Sequence, residues 1–297
     1  MTPRVYTDVA YAERLRQAVE AEWVGLDRAE AAVLAADLDD RVLRAPHVTW
    51  VHCDHAGLER SARPEVFDRG LVVTGSAGRS APALAEHAIF FMLSLAYDAP
   101  AFLDAQRARR WGVPGQEKLR ALYGRTAGIV GLGHTGTELA SRARAFGMRV
   151  LACRRRPDPA CVPLETVLRE SDFVVLALPL SDRTWRMIGA RELALMKPAA
   201  FLVNMARGAI VDESALVAAL RSGRLAGAAL DVFEREPLPA DSPLWSAPRT
   251  LITPHVTPQV PDRTARSLEI IAENFRRWRA GEPLLNRLTR DDVYTRG

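Results

Sequence analysis

In this 297-residue chain, residues 126–156, TAGIVGLGHTGTELASRARAFGMRVLACRRR, constrain the fold more than any other stretch. Ala127 to Val130 is an apolar run ending at Gly131, and Gly131, Gly133 and Gly136 fall in the G-x-G-x-x-G spacing. Residues 137–146 carry Leu139, Ala140, Ala143 and Phe146 at helical intervals, Gly147 closes them, and 148–153 form a second apolar run. Strand, tight turn, helix and strand in that order make a βαβ unit. The first glycine lets the chain turn, the second lets backbone approach a pyrophosphate, and the third lets helix and strand pack closely. The helix N-terminus then offers its N–H groups and dipole to the phosphates. The spacing predicts a dinucleotide site over Gly131, Gly133, His134, Thr135 and Gly136, against a plain βαβ turn without ligand.

The alternation runs through the whole chain. Residues 4–9, 31–36, 48–53 and 71–74 read as strands, with an amphipathic helix over 12–21. A helix over 82–96 is apolar nearly all round and is expected to lie buried between two domains. Residues 100–122 are polar and arginine-rich, a connecting helix and arm. Beyond the glycine turn, strands are expected at 173–178, 201–204, 227–232 and 251–253, helices at 214–221 and 262–279. The terminal helix comes too late to belong obviously to the second sheet. This predicts an α/β chain of two doubly wound parallel-sheet domains.

Hydrophobic content of 48% with 26% charged residues is that of an ordinary globular protein. No apolar run reaches the roughly 18 residues of a membrane span, and the N-terminus lacks the apolar core of a signal peptide, so a cytoplasmic protein is expected. Three scattered cysteines (Cys53, Cys153, Cys161) make neither a disulfide framework nor a metal site. The pI of 9.2 comes from arginines dispersed among acidic residues, which argues against nucleic acid.

Arg207, Glu236 and His255 follow three of the predicted late strands, and the C-terminal ends of strands in an open α/β sheet line one crevice. Reduction of a 2-keto acid needs such a set. Arg207 would clamp the carboxylate and polarise the neighbouring carbonyl. His255 would protonate the carbonyl oxygen as hydride arrives, and Glu236 would orient the imidazole and favour its charged form. Amides at Ala56 and Gly57, after the strand at 48–53, would add donors to the carboxylate. Singly, each has a plainer reading: a solvated arginine, a carboxylate in an acidic, proline-rich loop. His52 and His55 flank the Ala56–Gly57 loop and compete as ligand contacts, whereas His87 reads as a core residue.

The segments GIVGLGHTG, LPLSDRT (178–184), NMARGAIVDESALVAAL (204–220), GAALDVFEREPLP (227–239) and LITPHV (251–256) together resemble the D-isomer-specific 2-hydroxyacid dehydrogenase family, over roughly 85–286. The resemblance implies a Rossmann cofactor domain (99–263) inserted in a flavodoxin-like substrate domain (1–98 plus 264–297). It places the family's arginine, glutamate and histidine on Arg207, Glu236 and His255. It sets Thr184 and Asp231 against the cofactor, with Pro179, Met205 and Ala206 at neighbouring strand ends, and implies a homodimer. The shape of residues 56–74 and of the C-terminal GEPLLN is similar to the glyoxylate/hydroxypyruvate reductase branch. Two departures stand out: Val256-Thr257-Pro258-Gln259 replaces the usual small residues after the histidine, and Tyr97 stands where many relatives have arginine. A dinucleotide-sensing binding protein or corepressor of the same fold is the competing reading.

An NAD site carries an acidic residue about 20 positions beyond the glycines for the ribose hydroxyls. Here that position falls on Arg154, followed by Arg155 and Arg156, with no carboxylate before Asp158. Guanidinium groups suit a 2′-phosphate, so NADP is expected over NAD, with Arg154 and Arg155 as ligands.

Overall fold

The computed structural model describes residues 2–156, 158–256 and 260–296. They form two compact units. One takes the chain up to Ser80, Ser181–Arg183 and the chain from Val260. The other takes Ala81–Leu180 and the chain from Thr184 up to, but not including, Val260.

The first unit opens with β1 (Arg4–Thr7), α1 (Ala12–Ala18), β2 (Glu22–Trp23), β3 (Ala31–Leu34), α2 (Asp40–Arg44), β4 (Trp50–Cys53), α3 (Pro64–Asp68) and β5 (Val72–Gly75). Its strands are parallel in the order β2-β1-β3-β4-β5, the flavodoxin order of a doubly wound sheet. Every residue of β3 and β4 is buried, as strands covered on both faces require. β3 stops at Leu34, short of the predicted 36, because the Ala35 N–H turns to the Asp8 carboxylate at 2.7 Å. β2 has no sequence signal: two residues are too few for a period.

The second unit contains α4 (Ala81–Tyr97), α5 (Ala99–Arg107), β6 (Thr126–Val130), α6 (His134–Ala145), β7 (Arg149–Cys153), α7 (Leu164–Glu170), β8 (Phe173–Leu176), α8 (Ala190–Leu195), β9 (Phe201–Asn204), α9 (Glu213–Arg221), β10 (Gly227–Leu230) and β11 (Thr250–Ile252). Its parallel strands run β11-β10-β9-β8-β6-β7. The order reverses between β6 and β8, the switch point where such sheets bind ligands. Only β7 lies beyond β6, one strand fewer than in the six-stranded dinucleotide fold 3-2-1-4-5-6.

α4 groups with this second unit, although the range 1–98 set it with the first. Its Ala85, Ala88, Phe91, Met92 and Leu95 are buried in one core with Leu139, Ala140 and Ala143 of α6. That packing, not the linker composition, fixes the boundary at Ser80. No single described helix is long and apolar enough to cross a membrane.

The last helix, α10 (Arg263–Ala280), returns to the first unit. Ile271 and Phe275 are buried with Val5, Leu15 and Trp50. The Phe275 ring meets Trp50 edge-on at 4.7 Å, and Trp278 adds a contact at 5.4 Å. Such aromatic pairs contribute about 0.5–1.5 kcal/mol each beyond their burial. The helix ends at Gly281 in the left-handed conformation (φ 68°), a usual helix stop.

Candidate active site

The glycine turn joins β6 to α6 at the switch point. Gly131 has φ +106°, and a Cβ there would stand 2.3 Å from the Ala177 carbonyl oxygen beyond β8. A Cβ on Gly136 would stand 2.1 Å from the Gly131 carbonyl oxygen, so helix and turn are in backbone contact. At Gly133 nothing lies within 4 Å. Two glycines are thus required by the protein itself, and the middle one leaves space at the helix N-terminus. This cradle fits a pyrophosphate. His134 is the first residue of α6 and is exposed, with Thr135 half-buried behind it. Thr184 donates its hydroxyl to the Pro179 carbonyl at 2.9 Å, which shapes the loop after β8. The Met205 side chain is buried in the core, so only its backbone faces outward duties.

Arg207 follows β9. The buried Asn204 accepts the Ala206 N–H at 3.1 Å and donates to the Arg207 carbonyl at 3.0 Å, folding the strand end into a tight hook. The Arg207 guanidinium donates to the Ala206 carbonyl at 2.6 Å. The next residue, Gly208, lies directly on the loop after β10: a Cβ there would stand 1.8 Å from the Phe233 carbonyl carbon. In that loop one Glu236 oxygen accepts the Phe233 N–H at 2.9 Å, and the other meets His255 Nδ1 at 2.6 Å. A carboxylate only accepts, so Nδ1 carries the proton and Nε2 is left for acid–base exchange.

His255 has φ 51°, a left-handed conformation that histidine adopts more readily than most residues. Its N–H donates to the Thr253 carbonyl at 3.1 Å. The next N–H, of Val256, donates to Asp231 at 2.9 Å. Asp231 is 1% exposed and also accepts the Thr253 hydroxyl. His87 on α4 stands 3.8 Å from the same carboxylate. Burial lowers the pKa of His87, and Asp231 opposes this. Asp231 thus anchors the turn that presents His255. Of the departing residues after the histidine, Val256 is exposed, and Thr257, Pro258 and Gln259 lie outside the described residues.

In the first unit Ala56 and Gly57 follow β4, Ala56 exposed and Gly57 half-buried. Beneath them runs a buried polar chain. His52 meets the Thr74 hydroxyl through Nδ1 and the Ser76 hydroxyl through Nε2, both at 3.0 Å. Ser76 donates to Asp54 at 2.6 Å, and Asp54 pairs with the buried Arg79 at 2.6 Å. The Ser76 N–H donates to the His55 carbonyl at 3.0 Å, which pins the start of the loop. Burial drives the His52 pKa down to about 4, so at neutral pH this histidine is an uncharged structural element. His55 is partly exposed and stands 3.6 Å from Asp37.

Residues 89–257 match the NAD-binding domain of the D-isomer-specific 2-hydroxyacid dehydrogenases. The glyoxylate reductase of Korarchaeum cryptofilum is 35% identical over 277 residues, covering 89% of this chain and 83% of that one. The chain belongs to the D-isomer-specific 2-hydroxyacid dehydrogenase family. It is therefore an NAD(P)-dependent oxidoreductase. Among solved structures, a family member from Xanthobacter autotrophicus Py2, in complex with NADPH and MES, superposes with a TM-score of 0.84 at 31% identity over 98% of this dehydrogenase and 99% of that chain. A glyoxylate reductase from Paecilomyes thermophila gives a TM-score of 0.78 at 28% identity, covering 97% and 98%.

At the end of β7 in this dehydrogenase, Arg154, Arg155 and Arg156 are all exposed. Arg154 pairs with Asp158 at 3.1 Å. The Asp158 carboxyl titrates below its ordinary range, first through the Ala160 N–H it accepts and then through Arg154. Sequence reasoning overlooked Asp158 as a partner, along with Asn204 and Gly208. Asn204 had a signal, an amide closing an otherwise apolar strand. Gly208 had none.

Proposed function

We propose that this dehydrogenase reduces small 2-keto acids of the glyoxylate or hydroxypyruvate type to D-2-hydroxy acids, with NADPH as the preferred reductant. The observation that carries the reading is the His255–Glu236 contact at 2.6 Å, on a loop packed against the residue after Arg207. The glyoxylate reductases among the relatives point to the same substrate class.

The cofactor phosphates would rest on Gly131, Gly133, His134, Thr135 and Gly136, and the 2′-phosphate on Arg154 and Arg155. Pro179, Thr184, Met205, Ala206 and Asp231 would line the remainder. Bound reduced nicotinamide supplies the hydride to the keto carbon. Arg207 holds the substrate carboxylate with its planar fork and polarises the neighbouring carbonyl. His255 gives the Nε2 proton to the carbonyl oxygen, which becomes the hydroxyl. Glu236 holds Nδ1 throughout and balances the charge of the protonated ring. The first unit serves as substrate domain and the second as cofactor domain.

Steady-state rates on glyoxylate, hydroxypyruvate and an aryl pyruvate, each with NADPH and NADH, test the reading. Turnover of at least one of the two small acids is the expected result. Cofactor binding without turnover of any keto acid would make the protein a dinucleotide sensor instead.

The working unit is proposed to be a homodimer. Phe90, Tyr97, Phe102, Leu103, Trp111 and Tyr123 are exposed on α4, on α5 and along the arm that follows, and exposed apolar surface of this kind suits association with a second copy. Sedimentation equilibrium at micromolar concentration is expected to give twice the chain mass of 32.7 kDa. A single-chain mass would contradict it.

A further inference from the structure

Glu213 is the first residue of α9, and its carboxylate reaches off its own helix to accept the Glu234 N–H at 2.6 Å. Glu234 lies in the loop after β10, two residues before Glu236. That loop is held at three places: Gly208 beneath Phe233, the Phe233 N–H on Glu236, and Glu213 on the Glu234 N–H. The first holds its beginning, and the second ties that beginning to one oxygen of the Glu236 carboxylate. The third takes hold between Phe233 and Glu236. On the open side Arg186 pairs with the Glu234 carboxylate at 3.2 Å and approaches Asp212 at 3.8 Å, but exposed pairs of this kind hold geometry weakly.

Glu213 is an expensive choice for a structural clamp. Burial raises its pKa above the ordinary range, and the nearby Glu234 and Glu236 carboxylates push the same way, while the Glu234 N–H and Arg186 oppose them. Glu234, Glu236 and Arg186 are the charged groups facing it. A carboxylate kept half-buried beside two like charges has to be held for what it grips.

We propose that Glu213 is a positioning residue for proton transfer: through the Glu234 N–H it sets the loop that aims Glu236 at His255. This rests on the reading of Glu236 and His255 as the proton-transfer pair. The test compares Glu213→Ala, which removes the acceptor, with Glu213→Gln, which keeps an acceptor oxygen and loses the charge. Glu213→Ala should lower kcat for 2-keto acid reduction about tenfold with NADPH Kd changed by less than about twofold, since small misplacements act on the chemical step. Glu213→Gln should recover most of the loss. In parallel, the ring ¹⁵N resonances of His255 should move in Glu213→Ala and return in Glu213→Gln. Wild-type kcat with unmoved resonances in Glu213→Ala overturns the proposal, as does a fall in Tm alone. If the unmutated enzyme turns over no keto acid, the functional reading fails, and the resonances still decide whether Glu213 positions the pair.

Discussion

Replacing His255 by Gln is expected to lower kcat for 2-keto acid reduction by about 10²–10⁴-fold, the usual worth of general acid–base catalysis. Glutamine can donate a hydrogen bond to the carbonyl oxygen but cannot give up a proton. The fold should survive, because the His255 side chain is 45% exposed and its turn is tied down by Thr253 and Asp231 through backbone groups. Binding of reduced cofactor should stay close to the unmutated level. His255→Asn is the companion variant, since asparagine accepts the left-handed backbone at φ 51° more readily than glutamine. Equal losses in both would separate missing acid from backbone strain. Unchanged turnover in either would remove His255 from the mechanism.

Arg154→Asp is expected to weaken NADPH by about 10–100-fold, because a charge-assisted hydrogen bond contributes about 1.5–3 kcal/mol. NADH, lacking the 2′-phosphate, should change only slightly. The unmutated Arg154 is tied to Asp158 at 3.1 Å, but both side chains are partly exposed, and such a pair yields readily to a dianionic phosphate. Arg155 stands beside it as the proposed second ligand. Measuring kcat/KM for both cofactors in the two proteins checks this. A higher kcat/KM for NADH in the unmutated enzyme would refute the assignment while leaving the reductase reading in place.

What could be read in advance depended on where each requirement originates. The glycine turn is legible because its demands are local: Gly131 needs a positive φ, and Gly136 needs the absence of a side chain over the Gly131 carbonyl. His255 and Glu236 both follow late strands whose ends line one crevice, and they stand in hydrogen-bond contact. α10 reads from its position in the chain as an outlier to the second sheet, and it packs on Trp50 of the first. By contrast, the unit to which α4 belongs depends on its packing against α6, a tertiary choice that an all-round apolar helix does not reveal. α7 and α8, with 7 and 6 residues, are too short to leave a clear helical period. Asn204, Gly208 and Glu213 act on chain segments distant in sequence or on backbone groups, and neither leaves a periodic mark.

Gly208 also limits how such an enzyme can change. With the Phe233 backbone where a side chain would begin, the hook bearing Arg207 and the loop bearing Glu236 behave as one machined part. Lengthening or shortening either by a residue would displace the proposed substrate anchor and the proposed proton relay together. Lineages that acquire new keto acids should therefore vary at loops outside this block, and a library confined to such loops should yield altered specificity with the catalytic step retained.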